Sequence, residues 1–412
     1  MRFFSRELDF SYQSKTWFYV GTTLAQTLTI FTSFYILKLF SPSDFGTFNF
    51  FISIGSFVGS FTTLKYELSI TVSETKSEMY QKAFFTIFLS IFLNSLALIP
   101  IYLFANLDSR LLLFVYSLAV TVSVNACLQQ IFLYKSYHTF SGAFPFVGAL
   151  VNLAIIMTFL NTPNILIVAY TTSLTLTGLL FLLIVIFKSR IRDRNIFRSF
   201  KNVFYDNISY PLYILPSSLA SIILTYCHPI LLTYLYGEHQ VGLFSFSLRI
   251  LMIPSIIIGS VISGLLRAEM AKSFYQTDMV AIRHKTLSTI KILGLSTIIL
   301  FPCIVFGIFN LKYFTSFQKW NGVESVAICL TPYAVSQLFY LPLSNVALVL
   351  DKKKILLFLS LIQLCLTLFM YWIAHYFDFS FKIFLGMLSG SFALFTIFAC
   401  RKFYLITLQV GK

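Results

Sequence analysis

Leu39-Phe40-Ser41-Pro42-Ser43-Asp44-Phe45-Gly46-Thr47-Phe48-Asn49-Phe50 is the stretch on which the fold reading turns. It returns 196 residues later, without a gap, as Leu235-Tyr236-Gly237-Glu238-His239-Gln240-Val241-Gly242-Leu243-Phe244-Ser245-Phe246. Leu39 pairs with Leu235, Gly46 with Gly242, Phe48 with Phe244, Phe50 with Phe246, and Ile54 with Ile250. Each copy joins an odd-numbered apolar run to the following even one. A shift of six runs keeps the orientation across a membrane, so the copies mark parallel rather than inverted repeats.

The apolar runs lie near residues 17–39, 46–64, 83–104, 111–134, 143–160, 164–187, 212–235, 243–265, 287–309, 325–350, 355–375 and 381–405. Each is close to the ~20 residues that a helix needs to cross a bilayer core. A mean hydropathy of +0.83, with 58% hydrophobic and 11% charged residues, sets the chain apart from soluble domains, in which roughly 25% of residues are charged. Continuous runs of this length favour helices over barrel strands, which alternate in polarity over about 10 residues. The expected fold is therefore an all-α polytopic membrane protein, with 12 transmembrane helices in two parallel-repeat six-helix bundles around a central cleft.

The net charge of +15 could suggest nucleic acid, but its placement argues for the membrane. With a cytoplasmic N-terminus, 23 of the 30 Lys and Arg residues fall on inner segments and five on outer ones (Lys38, Arg110, Lys312, Lys319, Lys382), with Arg249 and Lys291 inside spans. That asymmetry predicts both termini cytoplasmic and an affinity for anionic membrane lipids rather than nucleic acid. The polar lead before the first run, and the length of that run, predict a retained helix rather than a cleaved signal peptide. The six cysteines show neither zinc-site nor disulfide spacing.

The repeat divides the chain into a first six-helix bundle (1–187), a basic cytoplasmic linker (188–211) and a second bundle (212–412). The linker carries six basic residues and could form a short amphipathic surface helix. Two similar bundles imply a cleft between them, and rocking about it would give alternating access. Pro216, Pro229, Pro254 and Pro332 fall inside spans of the second half. They are hinge candidates, since proline removes a helical hydrogen bond; static kinks are the other reading.

No Walker A motif, His-Glu-x-x-His or Gly-x-Ser-x-Gly occurs, and the longest outer loop spans only about residues 310–324. No catalytic residue, metal site or cofactor is expected. Arg249 lies about seven residues, roughly 10 Å, inside the eighth span. It either engages an anionic group of a cargo through its guanidinium fork or reaches back to the interface. Lys291 is a second substrate-binding candidate or a snorkelling anchor, and Lys38 reads the same way. Lys65 with Glu67, and Arg267 with Glu269, occupy related positions at the inner ends of the second and eighth spans. They are gating candidates, or ordinary charged helix ends. No carboxylate lies at mid-membrane. Amides such as Asn94, Asn125, Asn345 and Gln363 could line a polar path or tie helices together.

Phe40-Ser41-Pro42-Ser43-Asp44-Phe45-Gly46, followed by a Phe/Ile/Ser-rich helix and Leu64-Lys65-Tyr66-Glu67-Leu68, resembles the N-terminal signature of the bacterial Wzx-type polysaccharide flippases. These belong to the multidrug/oligosaccharidyl-lipid/polysaccharide (MOP) exporter superfamily. The resemblance implies translocation of an undecaprenyl-diphosphate-linked oligosaccharide, an O-antigen or capsule repeat unit, from the cytoplasmic to the periplasmic leaflet of the bacterial inner membrane. It also implies a cationic cleft, for which Arg249 and Lys291 are the available charges, and partners among the polysaccharide polymerase and chain-length machinery. A multidrug antiporter of the same superfamily would favour an internal acidic residue. A membrane-embedded polymerase would favour a sizeable basic outer loop.

Overall fold

The computed structural model describes residues 2–105, 109–134, 138–160, 162, 164–189, 200–259, 262–263, 266, 270, 273, 279–310, 313, 315–350 and 352–409. All regular structure among them is helical. The helices are α1 (Arg2–Leu39), α2 (Pro42–Thr62), α3 (Lys76–Ala105), α4 (Ser109–Tyr134), α5 (His138–Thr158), α6 (Ile165–Ser189), a short α7 (Phe200–Asp206), α8 (Leu215–Leu251), α9 (Met279–Asn310), α10 (Val323–Val349), α11 (Lys353–Tyr376) and α12 (Phe381–Gln409). One-turn 3₁₀ segments cover Tyr66–Ile70 and Thr315–Trp320, and π-helical turns cover Tyr210–Ile214 and Ser255–Gly259.

Among the described residues, ten helices are long and apolar enough to cross a membrane. The two spans by which this falls short of twelve have physical causes. α2 is 21 residues long, but Ser, Thr, Gly, Asn and Asp dilute its hydropathy. The seventh span and much of the eighth run together as α8, whose axis is broken only at Gly237 (φ 81°, ψ 168°). Those angles are open to glycine and costly for other residues.

The repeated stretch explains both corners. In the first copy the chain leaves α1 at Leu39 and re-enters a helix at Pro42, the favoured first-turn position for proline. Ser41 and Asp44 form a reciprocal cap. Ser41 N and Oγ donate to Asp44 Oδ2 at 2.9 and 2.7 Å, and Asp44 N donates to Ser41 Oγ at 3.3 Å. In the second copy Gly237 stands at the position of Ser41, so the same break is made by backbone freedom instead of a cap. The apolar positions agree: Phe45, Phe48 and Phe50 are buried, as are Val241, Phe244 and Phe246.

The chain divides into two compact units. The first comprises Met1–Leu37 and Phe48–Ile230; the second comprises Lys38–Thr47 and Leu231–Lys412. In the first, Gly55 and Gly59 let α2 lie directly on α4. A Cβ at Gly59 would sit 2.5 Å from Ala119 O, and one at Gly55 would sit 2.6 Å from the Leu118 side chain. Thr62, Asn94 and Ser123 tie α2, α3 and α4 together. Thr62 Oγ1 donates to Asn94 Oδ1 at 3.0 Å, Asn94 Nδ2 to Ser123 Oγ at 3.3 Å, and Ser123 Oγ to Gly59 O at 2.9 Å. An apolar core of Met79, Cys127, Leu128, Phe132, Phe144 and Phe181 fills one end.

In the second unit α10 is the buried centre, with Leu330, Ala334, Leu338, Leu343, Val346 and Ala347 all inaccessible. Ser247 Oγ donates to Val323 O at 3.3 Å and Ser255 Oγ to Ala334 O at 3.4 Å, while Tyr333 packs on Phe392 of α12 at 4.6 Å. Large apolar side chains that remain exposed on the spans, such as Ile298, Phe306 and Leu394, suit a lipid environment. Some span hydroxyls are satisfied locally: Thr29, Thr32 and Ser33 each donate to the carbonyl four residues earlier.

Candidate functional site

In the second unit, Arg249 stands eleven residues into the arm of α8 that begins at Glu238, about 16 Å along the helix axis. It is half-buried, and its guanidinium lies 5.2 Å from the ring centre of Phe45, a residue of the first repeat copy. Phe45 meets Trp320 edge-on at 6.0 Å, and Trp320 also packs on Phe246 at 5.2 Å. The cation is thus held over an aromatic platform built from both copies and the Thr315–Trp320 turn. Such a contact stabilises it by about 0.5–2 kcal/mol. Lys319, next to Trp320, is held below its usual pKa by burial, partly offset by the attraction of Asp44.

Among the described glycines, the tightest approaches fall at the same corner. A Cβ on Gly46 would lie 1.8 Å from the carbonyl oxygen of Glu238, and one on Gly242 would lie 1.8 Å from the carbonyl oxygen of Pro42. Gly46 and Gly242 are repeat mates, as are Pro42 and Glu238, so the contact is reciprocal. Only glycine permits it.

In the first unit, the gating candidates Lys65 and Glu67 are brought together. Leu64 (φ 48°) and Lys65 (φ 64°) are both left-handed, turning the chain abruptly into Tyr66–Ile70. Lys65 Nζ lies 3.5 Å from Glu67 Oε1, and Glu67 is buried with Oε2 lacking a hydrogen-bond partner among the described residues. Nearby, buried Lys82 pairs with Glu78 at 2.7 Å and donates to Ser69 O at 3.4 Å. Tyr66 is wholly buried; its hydroxyl donates to Phe204 O at 3.2 Å, and its ring meets Phe85 at 5.2 Å. That anchors α7, the short helix at the end of the linker. Burial raises the Tyr66 phenol above its usual pKa.

Arg267 and Glu269 lie outside the described residues, as do linker positions 190–199. Lys291 and Lys38 are exposed on α9 and α1. Of the prolines, Pro332 sits in an unbroken α10 and Pro229 within α8, whose break is at Gly237 instead; Pro254 immediately precedes the π-helical turn Ser255–Gly259, and Pro216 closely follows Tyr210–Ile214. Among the amides, Asn94 and Asn345 act as helix ties. Asn345 Nδ2 donates to Ser263 Oγ at 2.6 Å.

Residues 12–266 match the family described as polysaccharide biosynthesis protein, a stretch that includes both repeat copies and more than half of the chain. The chain belongs to this family. Its fold is that of the MOP superfamily transporters. It resembles an inward-facing MATE family multidrug resistance transporter (TM-score 0.66, 15% identity, covering 93% of this chain and 95% of the other). It also resembles the lipid II flippase MurJ in an inward closed conformation (TM-score 0.68, 12% identity, 96% and 89% covered). A MOP superfamily transporter from Pyrococcus furiosus is similar as well (TM-score 0.55, 14% identity, 98% and 96% covered). No curated protein matches the sequence. The chain is thus a multi-pass membrane protein with the fold of these transporters. Sequence reasoning did not single out Trp320 or Phe45 as neighbours of Arg249. A Trp in the connection at about residues 310–324, in a chain with only three, was the available signal.

Proposed function

We propose that this protein is a flippase that moves an undecaprenyl-diphosphate-linked oligosaccharide, an O-antigen or capsule repeat unit, from the cytoplasmic to the periplasmic leaflet of a bacterial cytoplasmic membrane by alternating access. The observation that carries the reading is family membership across residues 12–266. The likeness in fold to a protein described as a lipid II flippase supports it. A diphosphate and several sugars cannot cross hydrocarbon unaided, because polar groups without partners are costly there. The lipid tail can stay in the bilayer while the headgroup passes through the protein, and no covalent chemistry is required.

Arg249 is the proposed contact for the diphosphate, supported by its half-buried position on an aromatic platform; Lys291 is the second candidate. Lys65 with Glu67, and Arg267 with Glu269, are proposed to act at the inner gate, and Pro216, Pro229, Pro254 and Pro332 to permit bending. Both termini are proposed to be cytoplasmic, with bundles at 1–187 and 212–412 joined by the linker at 188–211. The polysaccharide polymerase and chain-length machinery are the proposed partners.

The test is complementation of a deletion strain. Arg249→Ala is expected to abolish surface polysaccharide at normal protein level and to trap the lipid-linked unit in the inner leaflet, with Arg249→Lys retaining part of the activity. Normal polysaccharide from Arg249→Ala would remove that residue from the mechanism. Normal polysaccharide in the deletion strain itself would overturn the flippase reading. The fold likeness to a multidrug transporter favours a second reading as a drug antiporter; increased drug susceptibility of the deletion strain with intact polysaccharide would select it.

A further inference from the structure

At one end of the second unit, four helix ends converge on a single buried cluster that includes Ile282 at the start of α9, Leu350 after α10, Leu359 of α11, and Phe403 and Ile406 near the end of α12. Around this cluster Arg283, Lys352, Lys354, Arg401 and Lys402 are exposed. Arg283 is held in place: its Nε donates to Tyr404 Oη at 2.9 Å and its guanidinium lies 5.5 Å from that ring centre. Lys402 rests over Phe398 at 5.6 Å. The first turns of α9 and α11 contain no acidic residue. Both ion pairs among the described residues lie in the first unit, so no described carboxylate neutralises these five cations. Glu269, Asp278 and Asp351 lie outside the described residues.

The charge gives way to hydrocarbon along each helix. Leu357 and Phe358 are exposed about one turn after Lys354, Ile397 and Phe398 about one turn before Arg401, and Leu287 one turn beyond Arg283. A soluble anion would satisfy the cations alone. A ligand with an anionic head and two acyl tails satisfies both bands at once, because apolar chains cover the exposed side chains while the phosphate meets the cations.

We propose that this end of the second unit is a binding surface for anionic phospholipid, with Arg283, Lys354, Arg401 and Lys402 meeting the headgroup phosphate. Tyr404 acts as a positioning residue that holds Arg283 toward it. The surface is separate from Arg249 and takes bulk membrane lipid, not cargo.

The experiment is native mass spectrometry of the full chain in detergent, titrated separately with phosphatidylglycerol, phosphatidylcholine and undecaprenyl diphosphate. The combined variant R283Q/K354Q/R401Q/K402Q is compared with wild type and with K319Q/K382Q, which removes charge elsewhere. Wild type and K319Q/K382Q are expected to retain phosphatidylglycerol in preference to phosphatidylcholine, and the fourfold variant to retain it at least about tenfold less well. Should the fourfold variant fail to fold, as judged by its circular dichroism, Tyr404→Phe in its place is expected to weaken phosphatidylglycerol retention and to make it more sensitive to salt. Equal retention by the fourfold variant and wild type, or equal retention of both phospholipids by wild type, would overturn the proposal. So would retention of undecaprenyl diphosphate alone, which would assign the patch to cargo.

Discussion

Replacing Gly46 with alanine puts a methyl group where the structure has an oxygen. The added Cβ would fall 1.8 Å from Glu238 O and 2.7 Å from the carbonyl carbon. With a Cα–Cβ bond of about 1.5 Å, that oxygen lies within about 3.3 Å of Gly46 Cα, the range of a Cα–H···O contact worth about 0.5–1 kcal/mol. Restoring an ordinary carbon–oxygen separation requires the two helix starts to part by about 1.5 Å. The obstacle is backbone, so no side-chain rotation relieves it, and overpacking of this kind costs about 1–3 kcal/mol or more. The combined cost is about 3 kcal/mol, or a fall in Tm of roughly 6–12 °C for a unit of this size. The assay is thermal unfolding of the purified protein, with Gly307→Ala as the control because a Cβ there meets nothing within 4 Å. Gly242→Ala is expected to match Gly46→Ala, and the double variant to cost less than the sum, since either methyl group already opens the corner. A Gly46→Ala protein that melts with wild type would refute the reasoning.

Lys65 lies at φ 64°, a conformation that costs a non-glycine residue about 1–2 kcal/mol. Lys65→Ala keeps that strain and leaves Glu67 buried without its cation, so a loss of about 3 kcal/mol is expected; Lys65→Gly is expected to be about 1 kcal/mol more stable than Lys65→Ala in chemical denaturation. Tyr66→Phe removes the hydrogen bond to Phe204 O, worth about 1 kcal/mol, and is expected to speed amide hydrogen exchange in α7 about fivefold. Because burial raises the Tyr66 pKa from 10.0, its stabilising share is complete below about pH 10 and is lost as pH rises through the folded value. Tyr66→Phe is therefore expected to lessen alkaline sensitivity in a pH-jump unfolding measurement.

The helices were legible because a membrane demands long apolar runs, and the corner was legible because glycine, phenylalanine and leucine return at the same spacing. What the sequence hid was backbone conformation at ordinary residues. Nothing in Leu64 or Lys65 announces a left-handed turn, since tertiary packing of Tyr66 and Ile70 imposes it. Proline drew attention as a helix breaker, yet α10 runs straight through Pro332 and Pro342, and α8 breaks at Gly237 instead. Neighbouring helices can supply what a proline omits, whereas the angles at Gly237 exclude other residues. Arg249 stood out as a charge in an apolar run, but its partner Phe45 could not be found from sequence because 204 positions separate them.

The corner formed by Lys38–Thr47 groups with the second unit although the residues on either side of it belong to the first. Gly46 leans on Glu238, and Gly242 leans in the same way on Pro42. Mutual contacts between equivalent surface patches define the isologous interface of a two-fold dimer. Here the two equivalent patches belong to one polypeptide, so a displacement of either bend displaces its mate.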